Sequence, residues 1–327
     1  MKTAWRDRYG GPEVVSVREV PTPIPVDDQV LVRVRAASVN RADLDFLRPR
    51  WRWARLLSGI RGPHRHTFGL DMAGEVEALG PGVSRLKVGD RVFADMYLFG
   101  WNSFAEYVCA PERAFAEIPD GTSFEDAACL PHSALLAIMS LKPIFGQTLE
   151  AGDSVLIVGA SGNVGPFAVQ IAKSIGLEVT GVCRTSKIEF VRSLGADHVI
   201  DYTTTDYTKT GPYDRVIDVD GHRSIFGYWK TVRRGGVYVA MGGTSAWILS
   251  FLLNALVRRF VRDGKHIGAM PGWRPFRADD VAVLLDLLHR NVIEPHIARR
   301  YPLADVQQAM RDVDEGTAAG KVLLVVG

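Results

Sequence analysis

The stretch that decides the fold spans residues 155–165 and reads Val155-Leu156-Ile157-Val158-Gly159-Ala160-Ser161-Gly162-Asn163-Val164-Gly165. Its apolar half is typical of a buried strand, and its glycines form a turn that opens an amphipathic helix. Gly159 permits the tight turn, Gly162 lets the backbone approach a pyrophosphate, and Gly165 allows the helix to pack closely on the strand. The helix N-terminus favours an anion. The stretch predicts a dinucleotide site in contact with Gly159, Ser161, Gly162, Asn163, Val164 and Gly165.

The second strand of this βαβ unit ends without the acidic side chain that an NAD site places there to bind the adenosine ribose. It is followed instead by Arg184-Thr185-Ser186-Lys187. Cations and hydroxyls at this point suit a 2′-phosphate, because charge-assisted hydrogen bonds to phosphate are strong. We therefore predict NADPH as the cofactor, bound by Arg184, Ser186 and Lys187. The alternative is that both cations are solvated residues at the start of a helix.

From residue 154 onward the chain alternates between strands and helices, with a helix expected over residues 224–232 and a strand over 237–241. This alternation predicts a parallel, doubly wound sheet. Before it, short runs broken by proline and glycine predict the β-structure of a partly open barrel. The tail departs from the alternating rhythm, and we expect its last strand, at residues 321–326, to return to the first domain.

Composition narrows the function classes. The 327 residues, 47% of them hydrophobic, suffice for two domains. With 39 basic and 37 acidic residues, the overall charge gives no case for a nucleic-acid partner. Cys109, Cys129 and Cys183 are widely spaced and include no CxxC pair, which argues against disulfides and cysteine-built metal sites. Neither a signal peptide nor a spanning segment is predicted, so we expect a cytoplasmic protein.

Short motifs follow one another along the chain in a recognisable order. They are Tyr9-Gly10-Gly11-Pro12-Glu13-Val14, Ser38-Val39-Asn40, Gly69-Leu70-Asp71-Met72-Ala73-Gly74, Val88-Gly89-Asp90-Arg91-Val92, Phe104-Ala105-Glu106-Tyr107, Gly195-Ala196-Asp197, Ile200-Asp201-Tyr202 and Gly320-Lys321-Val322. Combined with the glycine turn, they resemble the medium-chain dehydrogenase/reductase superfamily over nearly the whole chain. Within that superfamily, the chain resembles the zinc-free quinone oxidoreductases.

The resemblance implies an α/β protein with two domains. Residues 1–123 and 273–327 would form a GroES-like β-barrel catalytic domain, and residues 124–272 a Rossmann domain that binds NADP. Lys187 and Tyr202 fall where quinone-oxidoreductase relatives contact the adenosine 2′-phosphate. The family's habit of pairing through its Rossmann domain implies a homodimer.

Zinc-dependent relatives use cysteine, histidine and acidic ligands, because the metal polarises the oxygen of an alcohol or carbonyl. In this chain Asn40 stands at the cysteine position, and the family's Gly-His-Glu is replaced by Gly69-Leu70-Asp71. The cysteines of the family's structural zinc lobe are missing as well. We therefore predict no metal.

Without a metal, hydride can still be added to a quinone or a polarised C=C bond, provided that hydrogen bonds stabilise the resulting anion. Asn40 is the first candidate for a polar contact beside the nicotinamide or substrate, and Asp45 is the second. Each has a simpler alternative, since Asn40 could be a turn residue bonded to its own backbone and Asp45 an exposed loop acid.

His132 and Ser133 depart from the small or apolar residues that relatives carry in the matching segment. His132 could be a proton donor, and a histidine satisfied within the core is the alternative. Gly242 and Gly243 follow an apolar strand, where they would leave room for the nicotinamide and offer backbone groups to its carboxamide.

Two segments have no counterpart in the resemblance. Residues 48–65 hold six arginines and two tryptophans without an acid, and residues 245–262 are strongly apolar. The first could rest on an anionic membrane surface or be simply solvated. The second needs burial, a dimer contact or a hydrophobic substrate beside it. We hypothesise that both enlarge a site for a small lipophilic substrate.

The sequence therefore favours an NADPH-dependent, zinc-independent oxidoreductase that reduces quinones or α,β-unsaturated carbonyls. A zinc-free carbonyl reductase or alcohol dehydrogenase is the second hypothesis, with His132 or Asp45 supplying a proton to the oxygen. A non-catalytic NADPH-binding or membrane-surface protein is the third.

Overall fold

The computed structural model describes residues 1–48, 59, 62–144, 146–242, 249–250, 253–254, 264–269 and 276–327. The chain divides into two compact units. Unit 1 comprises Met1–Leu135, Pro275–His289 and Pro295–Gly327, and unit 2 comprises Leu136–Arg274 and Arg290–Glu294. Three sequence predictions fall largely outside the described residues. They concern the arginine- and tryptophan-rich segment at residues 48–65, the apolar segment at residues 245–262, and Gly243.

The N-terminal part of unit 1 is mainly β-structure. Its strands are β1 (Lys2–Arg6), β2 (Val15–Glu19), β3 (Gln29–Val39), β4 (Asp71–Leu79), β5 (Arg91–Asp95), β6 (Tyr107–Pro111) and β7 (Ala116–Glu117). Its helices are α1 (Arg41–Leu47) and α2 (Phe124–Ala128), and α3 (Pro131–Leu141) begins in unit 1 and ends in unit 2.

Unit 2 then alternates strands with helices. It contains β8 (Ser154–Val158), α4 (Gly165–Ser174), β9 (Glu178–Cys183), α5 (Ile188–Ser193), β10 (His198–Asp201), β11 (Tyr213–Asp218), β12 (Val232–Ala240) and β13 (His266–Ala269). The chain returns to unit 1 with α6 (Ala278–His289), β14 (Ile297–Pro302), α7 (Val306–Asp314) and β15 (Lys321–Val325). No helix in the described part of the chain is long and apolar enough to cross a membrane.

The long strand β3 organises the sheet of unit 1. It pairs antiparallel with β4, β6 and β15, within a seven-stranded sheet ordered β14-β15-β3-β4-β5-β7 with β6 attached to β3. Val30, Leu31 and Val32 are all buried although they point alternately to opposite faces, so this part of the sheet is covered on both sides. Since β15 pairs with β3, the prediction that the C-terminal strand returns to the first domain is confirmed.

The sheet of unit 2 has six strands, all parallel, in the order β10-β9-β8-β11-β12-β13. Numbered by their order in the chain, these strands follow the 3-2-1-4-5-6 arrangement of a doubly wound nucleotide-binding fold. Val155, Leu156 and Ile157 of the central strand β8 are fully buried, as expected for a strand with helices on both faces. The predicted parallel, doubly wound sheet is confirmed.

Two details differ from the sequence prediction. The helix expected over residues 224–232 is only a 3-10 turn at Ile225–Tyr228, and β12 already begins at Val232. Tyr228 is fully buried in the core, and tertiary burial of this aromatic residue outweighs the weak helical pattern around Gly227. The chain also passes from unit 1 to unit 2 between Leu135 and Leu136, inside α3, whereas the resemblance placed the boundary at residues 123 and 124.

The structure predicts unequal stability effects for two glycines of the turn. A Cβ at Gly165 would overlap the carbonyl oxygen of Gly159 and lie 2.5 Å from the Cα of Ala160, so Gly165→Ala should lower the free energy of unfolding by about 1–3 kcal/mol. Gly162→Ala is the matched control, because its Cβ would meet only the Gly159 carbonyl oxygen at 3.4 Å. Urea unfolding of both variants without cofactor checks this, and equal losses would contradict it.

Candidate functional site

The glycine turn between β8 and α4 has the geometry that a dinucleotide site requires. Gly159 has a positive φ of 84°, a conformation that residues with a Cβ rarely adopt. Gly165 packs directly against the backbone of residues 159 and 160. Around Gly162, by contrast, no packing within the described chain requires a glycine, which agrees with the predicted approach of a ligand there.

The first turn of α4 offers backbone donors to an anion. Its N-cap residue, Val164, makes no side-chain hydrogen bond to the helix, since valine carries no acceptor. The amides of a first helical turn need partners from outside the helix, and an anion can provide them. Ser161 is buried and Asn163 is half-buried in the same turn.

Two cations follow the end of β9. Arg184 is half-buried and precedes a 3-10 turn at Thr185–Lys187. Lys187 is buried, and its burial, together with the neighbouring charge of Arg184, lowers its pKa. An anion beside the two cations would relieve both effects. This is the electrostatic environment that the predicted 2′-phosphate contact needs.

Tyr202 belongs to the same end of the sheet. Its amide donates a hydrogen bond to the carbonyl oxygen of Cys183 over 3.1 Å, and its side chain is exposed. Ser186 is also exposed. The structure thus brings Tyr202, Ser186 and the two cations to the carboxyl ends of β9 and β10.

Asp201 belongs to the motif Ile200-Asp201-Tyr202 but was predicted to have no role of its own; in the structure it is the register partner of Cys183. Its carboxylate accepts hydrogen bonds from the hydroxyl of Thr185 at 2.5 Å and the amide of Thr203 at 2.9 Å. These bonds lower the pKa of Asp201. The parallel register of β9 and β10, which brings Asp201 to this edge, is not visible in a local motif.

The remaining residues of the cofactor prediction are less informative. Val164 is buried as the N-cap residue of α4. Gly242 is exposed just beyond β12, where a Cβ would meet no described atom within 4 Å. Gly243 lies outside the described residues.

Unit 1 contains a second group of functional candidates at one end of its sheet. Ser38 near the end of β3 pairs in register with Asp71 at the start of β4, and Asp71 pairs with Asp95 at the end of β5. Antiparallel pairing also brings Lys321, at the start of β15, to this end. We call the resulting buried group the polar cluster; it consists of Ser38, Asn40, Asp43, Asp71, Asp95, His132, Ser133 and Lys321.

Asp71 is the most heavily bonded carboxylate of the polar cluster. Its Oδ2 accepts from the Ser38 hydroxyl at 2.9 Å, the Asn40 amide at 2.8 Å and the Lys321 ammonium at 3.4 Å. Its Oδ1 accepts from the backbone N–H of His132 at 2.9 Å. Because His132 is the second residue of α3, Asp71 also caps the N-terminus of that helix from a neighbouring strand.

The ammonium group of Lys321 lies among three oxygen atoms. It donates to Asn40 Oδ1 at 2.8 Å, Ser133 Oγ at 2.9 Å and Asp71 Oδ2 at 3.4 Å. Lys321 is only 1% exposed. Its side chain therefore introduces a positive charge deep in unit 1, balanced there by a carboxylate.

The side chain of Asn40, our first catalytic candidate, is engaged within the polar cluster. Its Nδ2 donates to Asp71 and to the carbonyl oxygen of Ser38, and its Oδ1 accepts from Ser133 and Lys321. Four bonds use the full capacity of an amide side chain. A direct contact from Asn40 to a substrate would have to replace one of them.

His132 forms a buried pair with Asp95. Its Nδ1 lies 2.9 Å from Asp95 Oδ2, and Asp95 Oδ1 accepts the backbone N–H of Tyr97. Burial opposes the charged form of His132, yet the carboxylates of Asp95, Asp71 and Asp43 together raise its pKa above the ordinary value. A proton donor and a histidine satisfied within the core, the two alternatives for His132, would both make this buried pair.

Asp45 lies apart from the polar cluster, half-buried on α1. The acid that α1 contributes to the polar cluster is instead Asp43. Its Oδ2 accepts a hydrogen bond from the backbone N–H of Asn40 at 2.8 Å. The spacing from Asn40 to Asp43 is that of a capping box, so a sequence signal for Asp43 existed. Asp95 and Lys321, in contrast, are recognised only through strand register.

Comparison with known proteins agrees with this architecture. The family described as alcohol dehydrogenase GroES-like domain matches residues 26–120, and that described as zinc-binding dehydrogenase matches residues 194–324. Human synaptic vesicle membrane protein VAT-1 homolog is 33% identical, over 98% of this chain and 85% of that protein. The bovine mitochondrial NAD(P)H oxidoreductase RTN4IP1 is 30% identical, over 99% of this chain and 89% of that protein.

The chain belongs to the medium-chain dehydrogenase/reductase superfamily. Within it, the quinone oxidoreductase-like branch is supported by a solved structure, the quinone oxidoreductase from Coxiella burnetii. That structure matches with a TM-score of 0.88 and 26% identity over 100% of this chain and 99% of that one. This medium-chain dehydrogenase/reductase therefore combines a GroES-like domain with a Rossmann-like domain, and at this level of detail it is an NAD(P)H-dependent oxidoreductase.

The cation environment after β9 generates a test of cofactor choice. Lys187→Ala should raise the KM for NADPH by about 10- to 100-fold, the equivalent of one charge-assisted hydrogen bond, and should leave the KM for NADH unchanged. Lys209→Ala is the matched control, because that lysine is 82% exposed. Steady-state kinetics with both cofactors checks the prediction, and equal changes for NADH and NADPH would refute it.

Proposed function

We propose that this protein is an NADPH-dependent, zinc-independent reductase of quinones or α,β-unsaturated carbonyls. The observation that carries the proposal is that two features occur together in a chain of this family, one in each unit. A phosphate-suited pair of cations follows β9, and a buried ammonium group lies among the side chains that replace the family's metal ligands.

NADPH is favoured over NADH by Arg184, Ser186 and Lys187. These residues supply two positive charges and a hydroxyl at the edge where the adenosine ribose is bound in this fold. Tyr202 lies at the same edge, and the amides of the first turn of α4 would bind the pyrophosphate. Asp201, the nearest acid of this edge, already accepts bonds from Thr185 and Thr203, so it is not a ready partner for a ribose hydroxyl.

The residues at the family's metal position do not suit zinc. Leu70 is an aliphatic side chain with no exposure, and the Asn40 amide is saturated by hydrogen bonds. The Lys321 ammonium, which donates to Asn40 and Asp71, would repel a divalent cation at this position. Within the described residues, no group of three or more histidine, cysteine or acidic side chains could hold a metal.

The substrate class rests on the family branch and on composition. The similar structure from Coxiella burnetii is a quinone oxidoreductase, and the apolar segment at residues 245–262 favours a lipophilic molecule. When bound, the nicotinamide supplies a hydride. The chain's own contribution would be polar groups that stabilise the resulting anion, and we propose His132, Asn40 and Asp45 for this part, in that order of structural support.

The His132–Asp95 pair favours carbonyl reduction as a second candidate. An alkoxide is far more basic than a hydroquinone anion, so its formation without a metal depends more strongly on a proton donor. A histidine paired with a buried carboxylate meets that need.

We also propose that the protein forms a homodimer. The support is the family resemblance, because relatives pair through the Rossmann domain and a twofold axis gives a closed dimer. The cytoplasmic location remains a prediction of the sequence.

A substrate panel tests the proposed function. Purified protein should oxidise NADPH faster than NADH in the presence of quinones or enones, and the active preparation should contain much less than one zinc per chain. Aldehydes and alcohols in the same panel test the second candidate. Stopped-flow absorbance at 340 nm and elemental analysis provide the measurements.

Two results would overturn the proposal. One is stoichiometric zinc whose removal abolishes turnover, since the polar cluster would then have to release the Lys321 ammonium. The other is tight NADPH binding without oxidation by any member of the panel, which would favour the non-catalytic alternative.

A further inference from the structure

The polar cluster contains more acids than bases. Asp43, Asp71 and Asp95 contribute three carboxyl groups, and His132 and Lys321 contribute two basic groups, all of them buried. A net charge buried in a medium of low dielectric is costly. Each base contacts a carboxylate, His132 with Asp95 at 2.9 Å and Lys321 with Asp71 at 3.4 Å, which favours the charged form of both. With both bases charged, the cluster is neutral when one of the three acids keeps its proton.

Hydrogen bonding identifies the acid that keeps its proton. Asp71 accepts four hydrogen bonds, and Asp95 accepts from His132 and the amide of Tyr97. Burial raises the pKa of Asp71, but Lys321, His132 and the Asn40 amide oppose this by favouring its carboxylate form. Asp43 has one bonded oxygen, Oδ2, while its Oδ1 is buried without a hydrogen-bond partner. A bare carboxylate oxygen in this environment costs more free energy than a neutral carboxylic acid does, so Asp43 is the acid that keeps its proton.

The same geometry sets the state of His132. A carboxylate can only accept, so the 2.9 Å contact with Asp95 requires a proton on His132 Nδ1. The proton that can be transferred is then the one on Nε2. Two hydrogen bonds fix the orientation of His132. Its ring Nδ1 is bonded to Asp95, and its backbone N–H is bonded to Asp71.

The groups that face His132 come from several elements. Asp43 lies on α1, Asp71 on β4, Asp95 on β5 and Lys321 on β15. Burial raises the pKa of Asp43 to about 8, and burial raises that of the nearby Cys129 thiol to about 12. Both groups are therefore mainly neutral at pH 7, which leaves the bases and two carboxylates to balance each other.

We propose that the polar cluster is a proton store, in which Asp95 keeps His132 as an imidazolium ion, Asp43 remains a neutral acid, and His132 donates the proton that completes reduction. This proposal rests on the proposed function and extends it to the proton source. Asp71, Asp95 and Lys321 act as positioning residues.

The step balances as follows. The bound dihydronicotinamide would supply a hydride, and with it two electrons, to the electron-poor carbon of the substrate, so that the substrate oxygen would gain a negative charge. The Nε2–H bond of His132 breaks and an O–H bond forms on that oxygen. His132 is left neutral, and the cluster then has a net charge of about minus one. Uptake of a proton from water restores neutrality.

The direct test is a histidine side-chain NMR titration of the cofactor-free wild-type protein between pH 5.5 and 9.5. His132 should remain an imidazolium ion at pH 7. Asp95→Asn should lower the pH at which His132 titrates by about one unit or more, because an opposite charge within hydrogen-bond distance typically shifts a pKa by that amount. The wild-type measurement tests the proposal even if a variant fails to fold, because it needs no variant.

A kinetic test addresses the donor role. His132→Gln is polar but carries no transferable proton, so kcat for the best substrate should fall by about 100-fold or more while NADPH affinity, measured by fluorescence, is unchanged. His198→Gln is the matched control, because His198 forms an exposed pair with Glu178. In the wild type, kcat should decline on the alkaline side, and Asp95→Asn should move that decline to lower pH.

The outcomes separate the two proposals. A neutral His132 at pH 7, an unchanged titration in Asp95→Asn, or an unchanged kcat in His132→Gln would overturn the proton store and leave the proposed function intact. A wild-type protein that reduces no substrate of the panel while His132 stays charged at pH 7 would overturn the donor role and the proposed function, and only the assignment of charges would stand.

Discussion

The buried ammonium group of Lys321 is the constraint on which the polar end of unit 1 depends. A charge that is 1% exposed must be surrounded by acceptors, because an unpaired charge in the protein interior is costly. Asn40, Ser133 and Asp71 supply these acceptors, and each is held by further bonds. Asn40 leads into α1, Ser133 belongs to α3, and Asp71 begins β4. One charge thereby fixes the relative positions of the elements that carry every catalytic candidate in unit 1.

Two other constraints act in unit 2. At the glycine turn the constraint is steric, and at the end of β9 it is electrostatic. Gly165 has no room for a Cβ, since the backbone of Ala160 lies 2.5 Å from where that atom would be. Lys187 is buried beside Arg184, and burial together with that second charge lowers its pKa. The two features belong to one βαβ unit, and in the proposed NADPH complex they would act on different parts of the ligand. The backbone amides would suit the pyrophosphate, and the side-chain cations would suit the 2′-phosphate.

Sequence reasoning was most reliable where the signal is local. The run from Val155 to Gly165 predicted the central strand, the turn and the helix, because strand burial and glycine spacing are visible within eleven residues. It failed for residues 224–232, where burial of Tyr228 decides the structure. It also missed Asp43, although the spacing from Asn40 to Asp43 is that of a capping box, and it missed the roles of Asp95 and Lys321. Lys321 is bonded to Asn40 across 281 positions of sequence. The positions of Asp95 and Lys321 depend on the register of β3, β4, β5 and β15, which no short motif encodes. Asn40 and His132 were predicted as catalytic candidates, and the structure places both in the polar cluster, with partners that no short motif shows.

The central claim is that a buried ion pair, and not a metal, organises this site. A double-mutant cycle measures it most directly, with Asp71→Asn, Lys321→Met and the combined variant compared by urea unfolding. Each single change should lower the free energy of unfolding by about 3–5 kcal/mol, because it leaves the partner charge buried and unpaired. The double variant should lose less than the sum of the two by at least about 1 kcal/mol. Losses that add to within about 0.5 kcal/mol, as they do for independent sites, would contradict the account.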